Sequence, residues 1–262
     1  MTRRRWIADE VSGDTAALVG EHAVHLARVL RAEVGQEFDI ATGDEVRRGT
    51  ITTISGSDSE ARIEFSLGKK IDWFNSKPPV PSITLALSVF KFDRMEWAIE
   101  KCTEIGAARI IPVIARRTDA HLASAAAKRH ERWQRIVRQA SEQSRRTAPP
   151  EILAPIKFKA LADPGVLPAN VLTRIVLAES LAGSDAVNLA DTLQSRSPKG
   201  DVVLAIGPEG GWADEELTWF QEAGWLAASL GDTILRAETA AIVATAVAHE
   251  ALRNSYKLTL SS

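Results

Sequence analysis

Cysteine is almost missing from this chain of 262 residues: Cys102 stands alone. One cysteine closes no internal disulfide and builds no thiolate metal site, so a disulfide-stapled scaffold and a cysteine-held zinc module are both excluded. Long apolar runs are missing too; none approaches the roughly 18 residues that a membrane span needs. The basic start, MTRRRWIADE, has no apolar stretch behind it and does not read as a secretory signal. A cytoplasmic location is the expectation. Hydrophobic residues at 45% and charged residues at 25% still allow a core of ordinary size.

Positive charge is scarce where it would be most telling. Between residues 201 and 250 there is one basic residue, Arg236, against nine acids, whereas between Arg109 and Arg146 ten Lys or Arg face three acids. Charge segregated in this way points to a polyanionic partner, such as nucleic acid, for the basic segment. The acidic segment holds LAIGPEGGWADEEL, residues 204–217. A glycine turn between a strand and a helix suggests a phosphate cradle, yet this one lacks the Lys-Ser/Thr of a Walker loop and the G-x-G-x-x-G of a dinucleotide site. Asp214, Glu215 and Glu216 also occupy the positive end of the helix, so a phosphate meets repulsion there. A neutral or cationic ligand does not. His22 and His25 share a short helix without a third metal ligand, and Ser141, Ser144 and Ser180 have no G-x-S-x-G elbow. No metal and no esterase triad are expected.

The periodicity divides the chain. Glu37–Thr42, Val46–Ile54 and Ala61–Leu67 read as strands closed by turns, with one short helix at Glu21–Arg31; together they suggest a small barrel. The proline-rich stretch 72–82 is the boundary. Beyond it, strands at 83–89, 109–115, 175–178, 202–206 and 226–230 alternate with helices from 93, at 126–146 and at about 186–194, 214–223 and 239–253. Asp93 and Glu96 have the spacing of a capping box. Such alternation makes a mostly parallel α/β sheet, whose ligands bind beyond the carboxyl ends of the strands.

A second unusual segment, LGDTILRAETA at 230–240, follows the glycine loop and leads into an alanine-rich helix. GPEGG and LGDTILRAET in this order resemble the SPOUT class of methyltransferases and, within it, the ribosomal small-subunit methyltransferase E family. HAVHLARVLRAEVGQ (22–36), FDRMEWAIEKCTEIGAARIIPVIARRT (92–118) and RWQRIVRQASEQSRR (132–146) are similar to further segments of that family, so the likeness covers nearly the whole chain. Thr233 stands where the family usually has Arg, and Phe92 where it has Gly.

The resemblance implies a SPOUT-type parallel sheet with a C-terminal trefoil knot over residues 75–262. Ahead of it, over 1–74, it implies a small PUA-like RNA-binding β-barrel. It implies a homodimer that uses S-adenosyl-L-methionine to methylate N3 of a uridine in 16S rRNA, free or in the small ribosomal subunit. Cofactor contacts then fall on Leu177, Ala178 and Glu179, on Ile206, Gly207, Pro208, Gly210 and Gly211, and on Leu230, Gly231, Ile234, Leu235, Thr239 and Ala240. S-adenosylmethionine has a sulfonium and no phosphate, which suits an acidic glycine loop. Arg236 is the candidate to stabilise negative charge on the uracil oxygens. Glu209 and Glu238 are both candidates to orient it or to relay the proton. Arg3, Arg4, Lys91, Arg94, Arg116, Arg117, Arg132, Arg138, Arg145 and Arg146 are the candidate RNA contacts. The competing readings are a non-catalytic RNA-binding protein with a vestigial pocket, a methyltransferase of another RNA base, and a doubly wound enzyme using a nicotinamide cofactor.

Overall fold

Residues that alternate apolar and polar near the N-terminus pair into one six-stranded sheet, in a computed structural model that describes residues 5–43, 45–71, 81–169, 171–178, 180–181, 184–185, 187–196 and 200–260. Its strands are β1 (Trp6–Ile7), β2 (Glu10–Ser12), β3 (Thr15–Val19), β4 (Glu37–Ala41), β5 (Val46–Ser55) and β6 (Arg62–Lys70), in the order β1-β4-β5-β6-β3-β2. All neighbours are antiparallel except β1 and β4. Leu18, Ile40, Ile51, Ile63 and Phe65 point to one buried cluster with Trp6 and Leu26. The predicted helix is present as α1 (Glu21–Val24) and a wider turn through Val29. Residues 138–149 belong to this smaller unit. There Asp9 accepts from Arg138 at 2.8 Å, and Arg5 N–H donates to the Glu142 carbonyl at 3.2 Å. The proline-rich boundary falls almost wholly outside the described residues.

The larger unit comprises residues 79–137 and 150–262. Its sheet contains β7 (Ile83–Ser88), β8 (Arg109–Ile114), β9 (Glu151–Ile152), β10 (Ile156–Lys157), β11 (Val171–Leu177), β14 (Val187–Asn188), β15 (Asp201–Ile206) and β16 (Leu226–Ser229). A separate two-residue pair, β12 (Ser180–Leu181) with β13 (Ser184–Asp185), lies between β11 and β14 in the chain. The order β10-β8-β7-β15-β11-β16-β14 is parallel throughout, with β9 also beside β8. Successive side chains alternate between the faces. Leu85, Leu204 and Ile175 enter one core; Ala86, Val203, Ala205 and Val176 enter the other. Burial on both faces explains why β7 and β15 read as unbroken apolar runs.

The first core is closed by α2 (Phe92–Ile105), α5 (Leu189–Arg196) and α7 (Ala237–Leu260). Ala241, Ala244, Ala248 and Leu252 give α7 a narrow buried stripe, and Thr245 Oγ1 donates to Cys102 Sγ of α2 at 3.4 Å. Gly106 ends α2 at φ +132°, where a Cβ would meet the His249 ring at 3.0 Å. The second core is aromatic: α6 (Asp214–Glu222) packs Phe220 edge-to-face on Trp212, Phe158 and Trp225. α3 (Ala120–Ala125) starts on an Asp119 cap, whose carboxylate accepts from His121 and Leu122 N–H.

Two helix starts differ from expectation. α2 begins at Phe92 with Lys91 at its cap position, and no side chain caps it. Asp93 therefore sits inside the first turn. Glu96 is drawn instead to Arg132 Nε at 2.8 Å and Arg129 Nη1 at 3.7 Å, because two guanidinium groups outweigh one backbone N–H. The helix expected from 126 begins as a tight turn and becomes α4 only over His130–Gln143. Among the described residues, no helix is long and apolar enough to cross a membrane, and no cluster of His, Cys, Asp or Glu could hold a metal ion.

Candidate active site

A cleft of about 820 Å³ opens beyond the C-terminal ends of β11 and β15. Leu177 and Ala178 form one wall, and the loop 206–212 forms a second. Ile234, Leu235, Arg236, Ala237 and Ala240, leading into α7, form a third. Lys91 and Arg94 of the α2 start and Arg117 after β8 edge it.

The glycine loop turns on Gly211, at φ +69°, whose N–H donates to the Pro208 carbonyl at 2.8 Å. A Cβ on Gly207 would press on the buried Trp212 indole at 3.2 Å. Trp212 thus anchors the loop into the aromatic core. A second clasp comes from the segment after β8. Arg117 Nη1 donates to the Gly210 and Trp212 carbonyls at 3.1 and 2.9 Å. Arg116 N–H donates to Glu216 Oε1 at 2.7 Å, and Ala213 N–H donates to Glu216 Oε2 at 2.9 Å. The acidic run after the loop therefore divides: Asp214 points to solvent with its side chain 98% exposed, while Glu216 is buried as a cap.

Glu209 lines the cleft and accepts from Arg94 Nη1 at 3.4 Å. Glu238 does not line it. Its carboxylate is buried at the start of α7, with Oε1 3.8 Å from the same Arg94 nitrogen and Oε2 without a hydrogen-bond partner among the described residues. Arg236 is exposed in the cleft wall, and no carboxylate pairs with it among the described residues. Ten of the fourteen expected cofactor residues line the cleft: Leu177, Ala178, Ile206, Gly207, Pro208, Gly210, Gly211, Ile234, Leu235 and Ala240. Leu230, Gly231 and Thr239 stand back from it, and Glu179 lies outside the described residues.

The expected RNA contacts scatter. Lys91, Arg94 and Arg117 edge the cleft. Arg116 is exposed nearby. Arg132 is tied to Glu96, and Arg138 to Asp9 and to the Ile7 carbonyl. The Arg145 carbonyl accepts from Arg5, and burial lowers the Arg146 pKa. Arg3 and Arg4 lie outside the described residues. Three features escaped the sequence reading: Trp212 as anchor, Arg117 as clasp, and Glu216 as the acid that accepts from both the Arg116 and Ala213 N–H groups. Only Glu216 left a trace, its position three residues after Ala213.

A family model described as an RNA methyltransferase domain matches residues 76–249. A ribosomal RNA small subunit methyltransferase E of Synechocystis sp. is 32% identical, over 91% of this chain and 74% of its own length. One from Mycobacterium tuberculosis is 32% identical, over 89% of this chain and 85% of its own. The crystal structure of a ribosomal RNA small subunit methyltransferase E from Neisseria gonorrhoeae bound to S-adenosyl methionine superposes with a TM-score of 0.76. It is 32% identical and covers 93% of this chain and 95% of that one.

Proposed function

The chain belongs to the ribosomal RNA small subunit methyltransferase E family, and from that membership we propose that it transfers the methyl group of S-adenosylmethionine to N3 of a uridine in 16S rRNA. The observation that carries this reading is the cleft itself: three loops at the carboxyl ends of parallel strands meet there, walled by glycine backbone, apolar side chains and Arg236.

The residues present fit the cofactor. The cleft volume lies in the range of small-molecule sites. Leu177, Ile206, Leu235 and Ala240 give it apolar walls, and the 206–211 backbone approaches without side chains at Gly207, Gly210 and Gly211. The Trp212 indole N–H is buried there with no partner among the described residues. When bound, S-adenosylmethionine supplies an electrophilic methyl group on a sulfonium. The chain supplies position and charge. Arg236 offers its guanidinium donors to the uracil oxygens, where negative charge grows as the imide proton is lost. Glu209, a carboxylate that lines the cleft, takes that proton.

The same reading assigns a trefoil knot to the cleft loops and a PUA-like RNA-binding barrel to the N-terminal sheet. It also assigns a homodimer and a place in the cytoplasm beside the ribosomal subunits. The match to a relative over 95% of that chain supports the shared architecture.

Methyl transfer from labelled S-adenosylmethionine to 16S rRNA and to small subunits tests the proposal. The expected product is 3-methyluridine at one position, where the methyl group blocks base pairing and arrests reverse transcription. Label on another base overturns the uridine assignment. Cofactor binding by calorimetry without any transfer returns the protein to the vestigial-pocket reading.

A further inference from the structure

Glu238 is almost sealed from solvent, its side chain 7% exposed, and Oε2 has no hydrogen-bond partner among the described residues. A buried carboxylate needs a compensating charge. Among the described residues, the one cation within ion-pair distance is Arg94, whose Nη1 lies 3.8 Å from Glu238 Oε1 and 3.4 Å from Glu209 Oε1. The two acids come from different walls, one from the glycine loop and one from the start of α7. They meet on a single nitrogen. A guanidinium carries five N–H donors in a rigid fork. The Nε and Nη2 donors of Arg94 have no partner among the described residues, and Arg94 edges the cleft while Glu238 does not.

We propose that Glu238 is a positioning residue that acts through Arg94: with Glu209 it fixes one edge of the guanidinium, so that the remaining donors face the anionic RNA substrate beside Arg236. This rests on the RNA methyltransferase reading above and deepens it. Proton transfer is then left to groups that reach the cleft. The aim needs both the charge and the reach of Glu238, because a neutral amide does not hold a guanidinium in place across 3.8 Å.

A double-variant cycle tests it on the full chain: wild type, Glu238→Gln, Arg94→Ala and both together. Each is measured for cofactor Kd by calorimetry, RNA Kd, and kcat and KM of transfer to 16S rRNA. Cofactor Kd is expected to stay within about two-fold in all four. Loss of one partner of a charge pair predicts a fall of about ten-fold in kcat/KM for RNA in Glu238→Gln, and a larger fall in Arg94→Ala. The double variant should be no worse than Arg94→Ala alone. Glu238→Asp, which keeps the charge at shorter reach, should recover part of the loss and guards against a variant that fails to fold. Multiplying losses, a near-normal Glu238→Gln, or a lost cofactor affinity in Glu238→Gln would each overturn the proposal. Should the product in wild type prove to be another methylated base, the uridine assignment fails while the cycle still reads. Should transfer be absent, RNA Kd carries the same comparison.

Discussion

Arg236 is the one Lys or Arg in fifty residues of acidic sequence, and its guanidinium has no carboxylate partner among the described residues. Replacing it with alanine should cut methyl transfer by about 10²–10³, the size of losing an oxyanion donor. Cofactor binding should stay largely intact, as calorimetry would show. Near-normal turnover would remove Arg236 from the chemistry. Cys102 gives a second residue-scale expectation. Burial pushes its thiol up to about 12, opposed by the Thr245 hydroxyl. At pH 8 it is therefore protonated, and a maleimide should label the folded protein negligibly and the denatured protein fully. Arg236 was legible in the sequence because it was rare. The Arg94–Glu238 pair was not, since nothing in two distant segments says that the strand order brings them within 3.8 Å of each other.

The glycine loop illustrates what elements add. Sequence showed that it could not hold a phosphate, and the fold agrees: Glu216 already caps the helix N-terminus. What sequence could not show is the second use of that carboxylate, on Arg116 N–H. Glu216→Ala leaves both donors unsatisfied and should cost about 1–3 kcal/mol of stability, read as a lower urea midpoint. Cofactor affinity should weaken too, because the loop loses one of its ties; an unchanged Kd would show that Trp212 and the Arg117 contacts suffice to hold it. The Asp93–Glu96 spacing failed for a related reason. Periodicity identified α2, but a carboxylate chooses between a free N–H and a guanidinium by tertiary neighbours. Thr15–Val19 was missed as a strand because its Ala-Ala-Leu centre favours neither period; pairing with Arg62–Lys70 decides it.

At the scale of the whole molecule, part of the basic segment holds the fold together. Arg138 is held by Asp9 within the smaller unit, so part of the charge read as RNA-binding surface is structural. Burial pushes the Asp9 carboxyl up, but hydrogen bonds from His22 and the Val19 N–H, with the Arg138 charge, bring it below its ordinary value of 3.8. A depressed folded pKa contributes stability that is present above the unfolded value. That contribution is lost as pH falls through the folded one. Asp9→Asn should therefore destabilise at pH 7 by about 1–3 kcal/mol and flatten the acid limb of the stability curve. RNA affinity should still fall steeply with salt through the remaining cations, and a flat response would separate the basic segment from RNA binding.

The parallel sheet has one further consequence, and it concerns time. β15 pairs with β7 on one side and β11 on the other, and Ser82 N–H donates to an Asp201 carboxylate 119 positions away. During synthesis β7 and β8 leave the ribosome long before β15 exists. The edge of β7 that will carry it waits unpaired through more than a hundred residues, and long-range parallel pairing is slow. The cleft cannot assemble until that central strand slots in. Competence to bind a ligand should be the last signal to appear on refolding, after helix content and the N-terminal sheet.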